Sequence, residues 1–151
     1  MAPFLLLVHL VGIALGLGAL VCQLLVLGRF KTAAAAVERI GSEHAAAAII
    51  GRVQIPGVVL AAASGLALAW LDRWSPFSEG WFHFKLLFAL WVVLATRLMR
   101  RNAAAFLALR AECGENDSAR LRALKDNHAM IGYVTALSFL FAAVFSLWKP
   151  L

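Results

Sequence analysis

Gly80-Trp81-Phe82-His83-Phe84-Lys85-Leu86-Leu87-Phe88-Ala89-Leu90-Trp91 opens a run that stays apolar to Met99 and leaves through Arg97, Arg100 and Arg101. At ~1.5 Å rise per residue, a helix over 81–99 covers about 28 Å, close to the ~30 Å hydrocarbon thickness of a bilayer. The stretch therefore reads as a membrane-crossing helix. Just inside it stand a histidine and a lysine, His83 and Lys85. Burying a charge or an unpaired polar group there costs several kcal/mol, and such residues mark a functional site by default.

The rest of the chain has the same character. Hydrophobic residues make up 63% of the 151 and charged residues 15%, against roughly 45–50% and 25% in a soluble domain. Mean hydropathy is +0.85. The expectation is an all-α integral membrane protein, a single bundle of four transmembrane helices over residues 1–151 with no second domain. The spans are placed at about 4–28, 53–71, 81–99 and 129–148, joined by helical connections at 29–52 and 100–127. The first run has no basic residue ahead of it and exceeds the ~7–15 residues of a signal-peptide core, so it reads as a retained helix. Residues 29–52 are charged but alanine-rich, which predicts a solvent-facing helix leading into the second span. Pro56 sits near the entrance of that span and kinks it if the helix is already formed. The 100–127 connection is predicted to break at Cys113-Gly114-Glu115-Asn116-Asp117-Ser118, with Asp117 or Ser118 as the next N-cap.

The formal charge of +6 sits in short connections and forms no continuous stripe, which argues for topology and against nucleic acid. Connections 29–52 and 100–127 are heavily basic, whereas 72–80 carries one arginine. The positive-inside tendency places those two connections in the cytoplasm and both termini outside.

With that topology His9 and His83 enter from the same side, at heights differing by only about 5 Å. Two imidazoles on facing helices are a common way for a four-helix bundle to hold a haem iron. His9, Gly12 and Gly16 share one helical stripe, a polar head above a flat track. That track offers two readings at once, close packing of a neighbouring helix or a seat for a planar macrocycle. A homodimer burying the glycine faces is a further use. His9 alone also reads as a buried imidazole bonded to a neighbouring helix, and His83 as an interfacial histidine in an aromatic belt. Lys85 projects away from His83 and can reach solvent or a porphyrin carboxylate. His44 and His128, on the basic side, suggest a weaker second pair and hence two haems, or else two exposed histidines. Cys22 and Cys113 have no CxxC spacing, and no GxxxxGK[ST], HExxH or GxSxG motif occurs.

Leu7-Val8-His9, Ile55-Pro56-Gly57 followed by Ser64-Gly65-Leu66, Gly80-Trp81-Phe82-His83-Phe84-Lys85-Leu86 and a terminal Lys149-Pro150 together resemble the HemJ-type protoporphyrinogen IX oxidases and, more distantly, the copper-resistance D (CopD) membrane domain. The specific part is the Gly-Trp-x-His-x-Lys block. The resemblance implies a haem b protein of the bacterial inner membrane that oxidises protoporphyrinogen IX to protoporphyrin IX and passes electrons to the respiratory chain. It implies His9 as a haem ligand and Trp81 and Lys85 as residues important for activity. The chain departs from the family at Gly16, where a tryptophan is usual, and at Leu24-Leu25, where a Pro-Arg pair is usual; the second change removes a cation that could meet a propionate. Porphyrin or quinone would be the small-molecule partner beside the lipid bilayer. Two other functions compete: a dihaem cytochrome b-like electron-transfer protein, and a non-catalytic CopD-like membrane subunit.

Overall fold

The computed structural model describes residues 2–29, 36–116 and 118–147, except for the side chains of residue 29 and residues 145–147. The part of the first connection at 30–35, the alternative N-cap Asp117, and the end of the last span at Trp148 with Lys149-Pro150 lie outside the described residues.

The described chain is all-α. Helix α1 is Ala2–Arg29, α2 Ala36–Ile49, α3 Ile55–Leu71, α4 Gly80–Cys113 and α5 Ala119–Leu147, with a short 3₁₀ turn at Ser75–Ser78 before α4. Four rods are long and apolar enough to cross a membrane, because α2 and α3 are joined into one, Ala36–Leu71. The join is a π-helical turn, Ile50–Gln54, in which the amide of Ile55 bonds the carbonyl of Ile50, five residues back. Pro56 accounts for it. Proline has no N–H to give the carbonyl four residues earlier, and a locally widened turn re-satisfies the ladder without ending the helix.

Packing divides the rods into two close pairs, α1 with α3 and α4 with α5; α2 and the π-turn bridge α1 to α4. The first pair is close because it has almost no side chains at its crossing. A Cβ added to Gly12 would lie 2.5 Å from the Ala61 nitrogen, and one on Gly57 2.7 Å from the Gly16 nitrogen. The glycine stripe is thus occupied by α3 along Gly12 and Gly16, the small-residue helix crossing. Gly16 also meets the Phe139 ring of α5.

One expectation is corrected here. The 29–52 connection does not face solvent throughout, since Ser42, Glu43, Ala46 and Ile50 are buried. A charged helix stays exposed unless its charge finds partners, and Glu43 finds two on other helices. The break between α4 and α5 falls at Gly114, whose φ is +61°, a left-handed value that suits glycine. Ser118 then accepts the Leu121 amide at 3.1 Å and caps α5.

Large side chains that are fully buried gather in the half of the bundle at the basic ends: Leu20, Ile50, Met99, Phe106 and Leu121, together with Gln23, Glu43, Gln54, His128 and Thr135. Outward-facing Leu10, Leu66, Leu87, Leu90, Leu137 and Leu140 are exposed. An apolar surface this continuous on long helices fits a multi-pass protein in a lipid bilayer.

Candidate functional site

At the end of the bundle remote from the basic connections, His9 stands half-buried one turn before Gly12. Its Nδ1 lies 2.8 Å from the Ala61 carbonyl oxygen and 3.3 Å from Ser64 Oγ on α3. The Ser64 hydroxyl is itself committed to the Leu60 carbonyl at 2.6 Å. A carbonyl oxygen only accepts, so the proton belongs on Nδ1 and Nε2 keeps its lone pair. Gly65 makes the space for the ring, since a Cβ there would lie 3.0 Å from His9 Cε1. Lys85 is half-buried on α4.

His83 is exposed at the start of α4. Its Nδ1 is 3.2 Å from the Glu79 carbonyl, one turn earlier, which again leaves Nε2 as the lone-pair nitrogen. Its ring stands edge-on to Phe77, 6.3 Å between centroids, in a series of edge contacts from Trp70 through Trp74 and Phe77 to Phe82. Such aromatic belts sit at the membrane–water level. Trp81 is tied down by its indole N–H, which donates to the Glu79 carboxylate. The site residues at this end therefore come from α1 and the first turns of α4, and α3 orients His9. No hydrogen bond or ring contact joins His9 to His83 among the described residues.

An open apolar groove of about 360 Å³ runs between α4 and α5, lined by Leu87, Phe88, Leu90, Trp91, Leu94, Val134 and Ser138. The Trp91 indole nitrogen is buried with no hydrogen-bond partner. None of His9, Trp81, His83 and Lys85 lines this groove.

The histidines at the basic end separate. His44 is exposed on α2. His128 of α5 is completely buried, with Nε2 3.2 Å from Gln23 Oε1 and its ring edge-on to Phe106 at 5.7 Å. The structure does not bring the two together, because α2 turns Glu43 inward and one residue along a helix rotates ~100°. His128 is also not the exposed histidine of the alternative reading.

Two polar groupings carry no role in the sequence-based expectations. Gln23 Nε2 donates to Gln54 Oε1 at 2.5 Å and Gln54 Nε2 to Thr96 Oγ1 at 3.2 Å, so that with His128 they form a layer across α1, the π-turn, α4 and α5. Toward the basic end, Arg110 grips Glu43 through two bonds, Nε to Oε2 at 2.9 Å and Nη2 to Oε1 at 2.7 Å. Lys125 Nζ adds a third at 2.6 Å, and Arg110 Nη1 closes the end of α4 on the Gly114 and Asn116 carbonyls. A signal was present for the first: Gln23 and Gln54 are polar letters within or beside apolar spans, where they face the interior. Their pairing was not readable, since it needs the relative rotation of four helices.

No group of three or more His, Cys, Asp and Glu side chains able to hold a bare metal ion occurs among the described residues. Comparison with known protein families, with characterised proteins and with solved structures finds no match.

Proposed function

We propose that this chain is a haem b-binding oxidoreductase of a bacterial inner membrane, in which His9 and His83 would hold the haem iron. One observation carries the reading: the Ala61 carbonyl holds Nδ1–H of His9 and leaves Nε2 free, the tautomer and orientation that haem-ligating histidines take. The donor chemistry fits the group. His83 has the same arrangement on the Glu79 carbonyl, and Lys85, two residues further along α4, would offer a cation to a propionate. A bound haem would supply one-electron chemistry; the bundle supplies position, a low dielectric and exclusion of water. The substrate reading that goes with it is protoporphyrinogen IX oxidised to protoporphyrin IX, with electrons passed through a quinone to the respiratory chain. The α4–α5 groove, at the low end of small-molecule site volumes, suits the apolar ring of such an acceptor.

The test is an oxidised-minus-reduced absorption spectrum of the purified protein with haem quantified per chain. About one haem per chain is expected. His9→Ala abolishes the spectrum, and Gly65→Val, which drives a side chain into the imidazole, shifts or weakens it while the ligand remains. A full spectrum in both His9→Ala and His83→Ala refutes the ligand assignment. Failure to restore haem synthesis in cells lacking their own protoporphyrinogen oxidase, with the spectrum intact, leaves electron transfer and removes the porphyrin substrate.

The proposed orientation puts Arg52, Arg97, Arg100, Arg101, Arg120, Arg122 and Lys125 on the cytoplasmic side and the His9–His83 end on the periplasmic side. Cys113 sits at the end of α4 on the basic side and Cys22 is exposed within α1. A membrane-impermeant maleimide is therefore expected to label Cys113 in inverted vesicles and not in intact spheroplasts, and to spare Cys22, which faces lipid. Labelling of Cys113 from the periplasm reverses the topology.

A further inference from the structure

The layer of Gln23, Gln54, Thr96 and His128 has an unusual account of donors and acceptors. Each glutamine spends its amide oxygen on one neighbour and its NH₂ on the next, in one direction from His128 to Thr96. In that direction the imidazole donates from Nε2, and the buried Nδ1 makes no well-formed hydrogen bond. A side chain with no exposed surface does not leave a polar atom unused without cost. The Met99 backbone carbonyl lies beside the ring and is an acceptor for a proton on Nδ1.

Turning both amides over exchanges their O and N positions with little movement of other atoms. The chain then runs the other way: Thr96 O–H to Gln54 Oε1, Gln54 Nε2 to Gln23 Oε1, Gln23 Nε2 to the Nε2 lone pair of His128, and Nδ1–H to the Met99 carbonyl. Every polar atom of the ring is used, and the imidazole is neutral. The first direction is the one an imidazolium requires, because it has an N–H on both nitrogens and needs Gln23 to present oxygen.

We infer that this layer is a reversible relay and that His128 is an interior proton-binding site whose occupancy sets the direction of the hydrogen-bond chain to Thr96. A proton from the acid of the medium adds to the Nε2 lone pair, forming an N–H bond and breaking the one in the acid. Gln23 and Gln54 turn over, and Thr96 changes from donor to acceptor. No electrons move. Of the elements packed on the ring, α1 presents the uncharged Gln23, which the uncharged Gln54 of the π-turn holds from behind, and α4 presents Phe106 and the Met99 backbone. The buried charges toward the basic end are Glu43 of α2 and Arg110 of α4, joined to each other and, through Glu43, to the part-buried Lys125 of α5, while Arg52 of the π-turn, Arg97, Arg100 and Arg101 of α4, and Arg120, Arg122 and Asp126 of α5 are exposed. The π-turn that Pro56 imposes is what presents Gln54 to this layer, so the relay is built from an irregularity at membrane depth, where such turns serve function. It requires no cofactor, so its failure and that of the haem reading are separable.

The experiment uses the full chain in lipid nanodiscs with ¹⁵N-labelled histidine, the His128 signals being identified by their loss in His128→Asn. As pH falls through the range in which the bundle stays folded, the expected result is Nδ1–H neutral imidazole passing to imidazolium, with side-chain amide signals of Gln23 and Gln54 moving at the same midpoint. In Gln23→Met the imidazolium loses its acceptor, and the midpoint falls by about one unit, roughly tenfold in proton affinity. Thr96→Val, nearly isosteric, is expected to move it in the same direction by less, and serves if Gln23→Met does not fold. A His128 ring that keeps one tautomer throughout, or a midpoint unmoved by both substitutions while thermal stability drops, overturns the relay and leaves a structural polar layer.

Discussion

Glu43→Ala is expected to lower the stability of the bundle by about 3–5 kcal/mol, the cost typical of breaking a buried ion pair from one side. Glu43 is fully buried and Arg110 nearly so. Removing the carboxylate leaves one buried guanidinium and one part-buried ammonium facing each other with nothing between them. The three charges belong to α2, α4 and α5, so their loss loosens the bridge between the two helix pairs. Thermal unfolding followed by circular dichroism in detergent should show a midpoint lower by roughly 10 °C. Glu43→Gln keeps the volume and an acceptor oxygen and should fall between the two. A Glu43→Ala midpoint within a degree or two of the parent protein would mean that the cluster is hydrated and contributes little, as exposed ion pairs do.

Gly12→Ala should be the most damaging single-methyl substitution in the chain. Its Cβ would meet three backbone atoms, Ala61 N at 2.5 Å, Ala61 Cα at 2.9 Å and the Gly57 carbonyl at 2.9 Å. A flexible side chain can swing aside; a packed helix backbone cannot. The α1–α3 crossing has to open, and overpacking of this kind costs ~1–3 kcal/mol or more. His9 lies one turn away and takes its orienting bond from the same residue, Ala61, so Gly12→Ala should also weaken any haem spectrum. Gly18→Ala is the control, because a Cβ there meets nothing within 4 Å and alanine is the better helix former. The contrast is read in thermal unfolding of the two variants side by side; equal midpoints would show that α1 and α3 are farther apart than this packing requires.

How much of this was legible in the letters varies by residue. Gly114 and Ser118 announce the α4–α5 break through local chemistry alone, a left-handed position and a capping hydroxyl. Pro56 announces an irregular turn, although not that the turn would be π-helical and continuous with both neighbours. His9 was readable as a polar group in an apolar span, and the bond to a neighbouring helix was among its readings. His128 was not readable as buried, nor Glu43, because each sits in a charged stretch next to residues that are exposed. Burial there depends on which side of α2 and α5 meets α4, and alanine-rich or evenly apolar helices carry little periodic bias to say so.

The sequence by itself determined that four helical rods cross a bilayer, because hydrophobic length is a local property that each rod satisfies without reference to the others. Tertiary structure alone decided which polar residues meet. Gln23, Gln54, Thr96 and His128 come from rods whose rotations are mutually set by Gly12 against Ala61, by Gly57 against Gly16 and by Glu43 between Arg110 and Lys125. A rotation of a few tens of degrees in any one rod turns its polar group from the interior toward lipid, and no window of consecutive residues contains that angle.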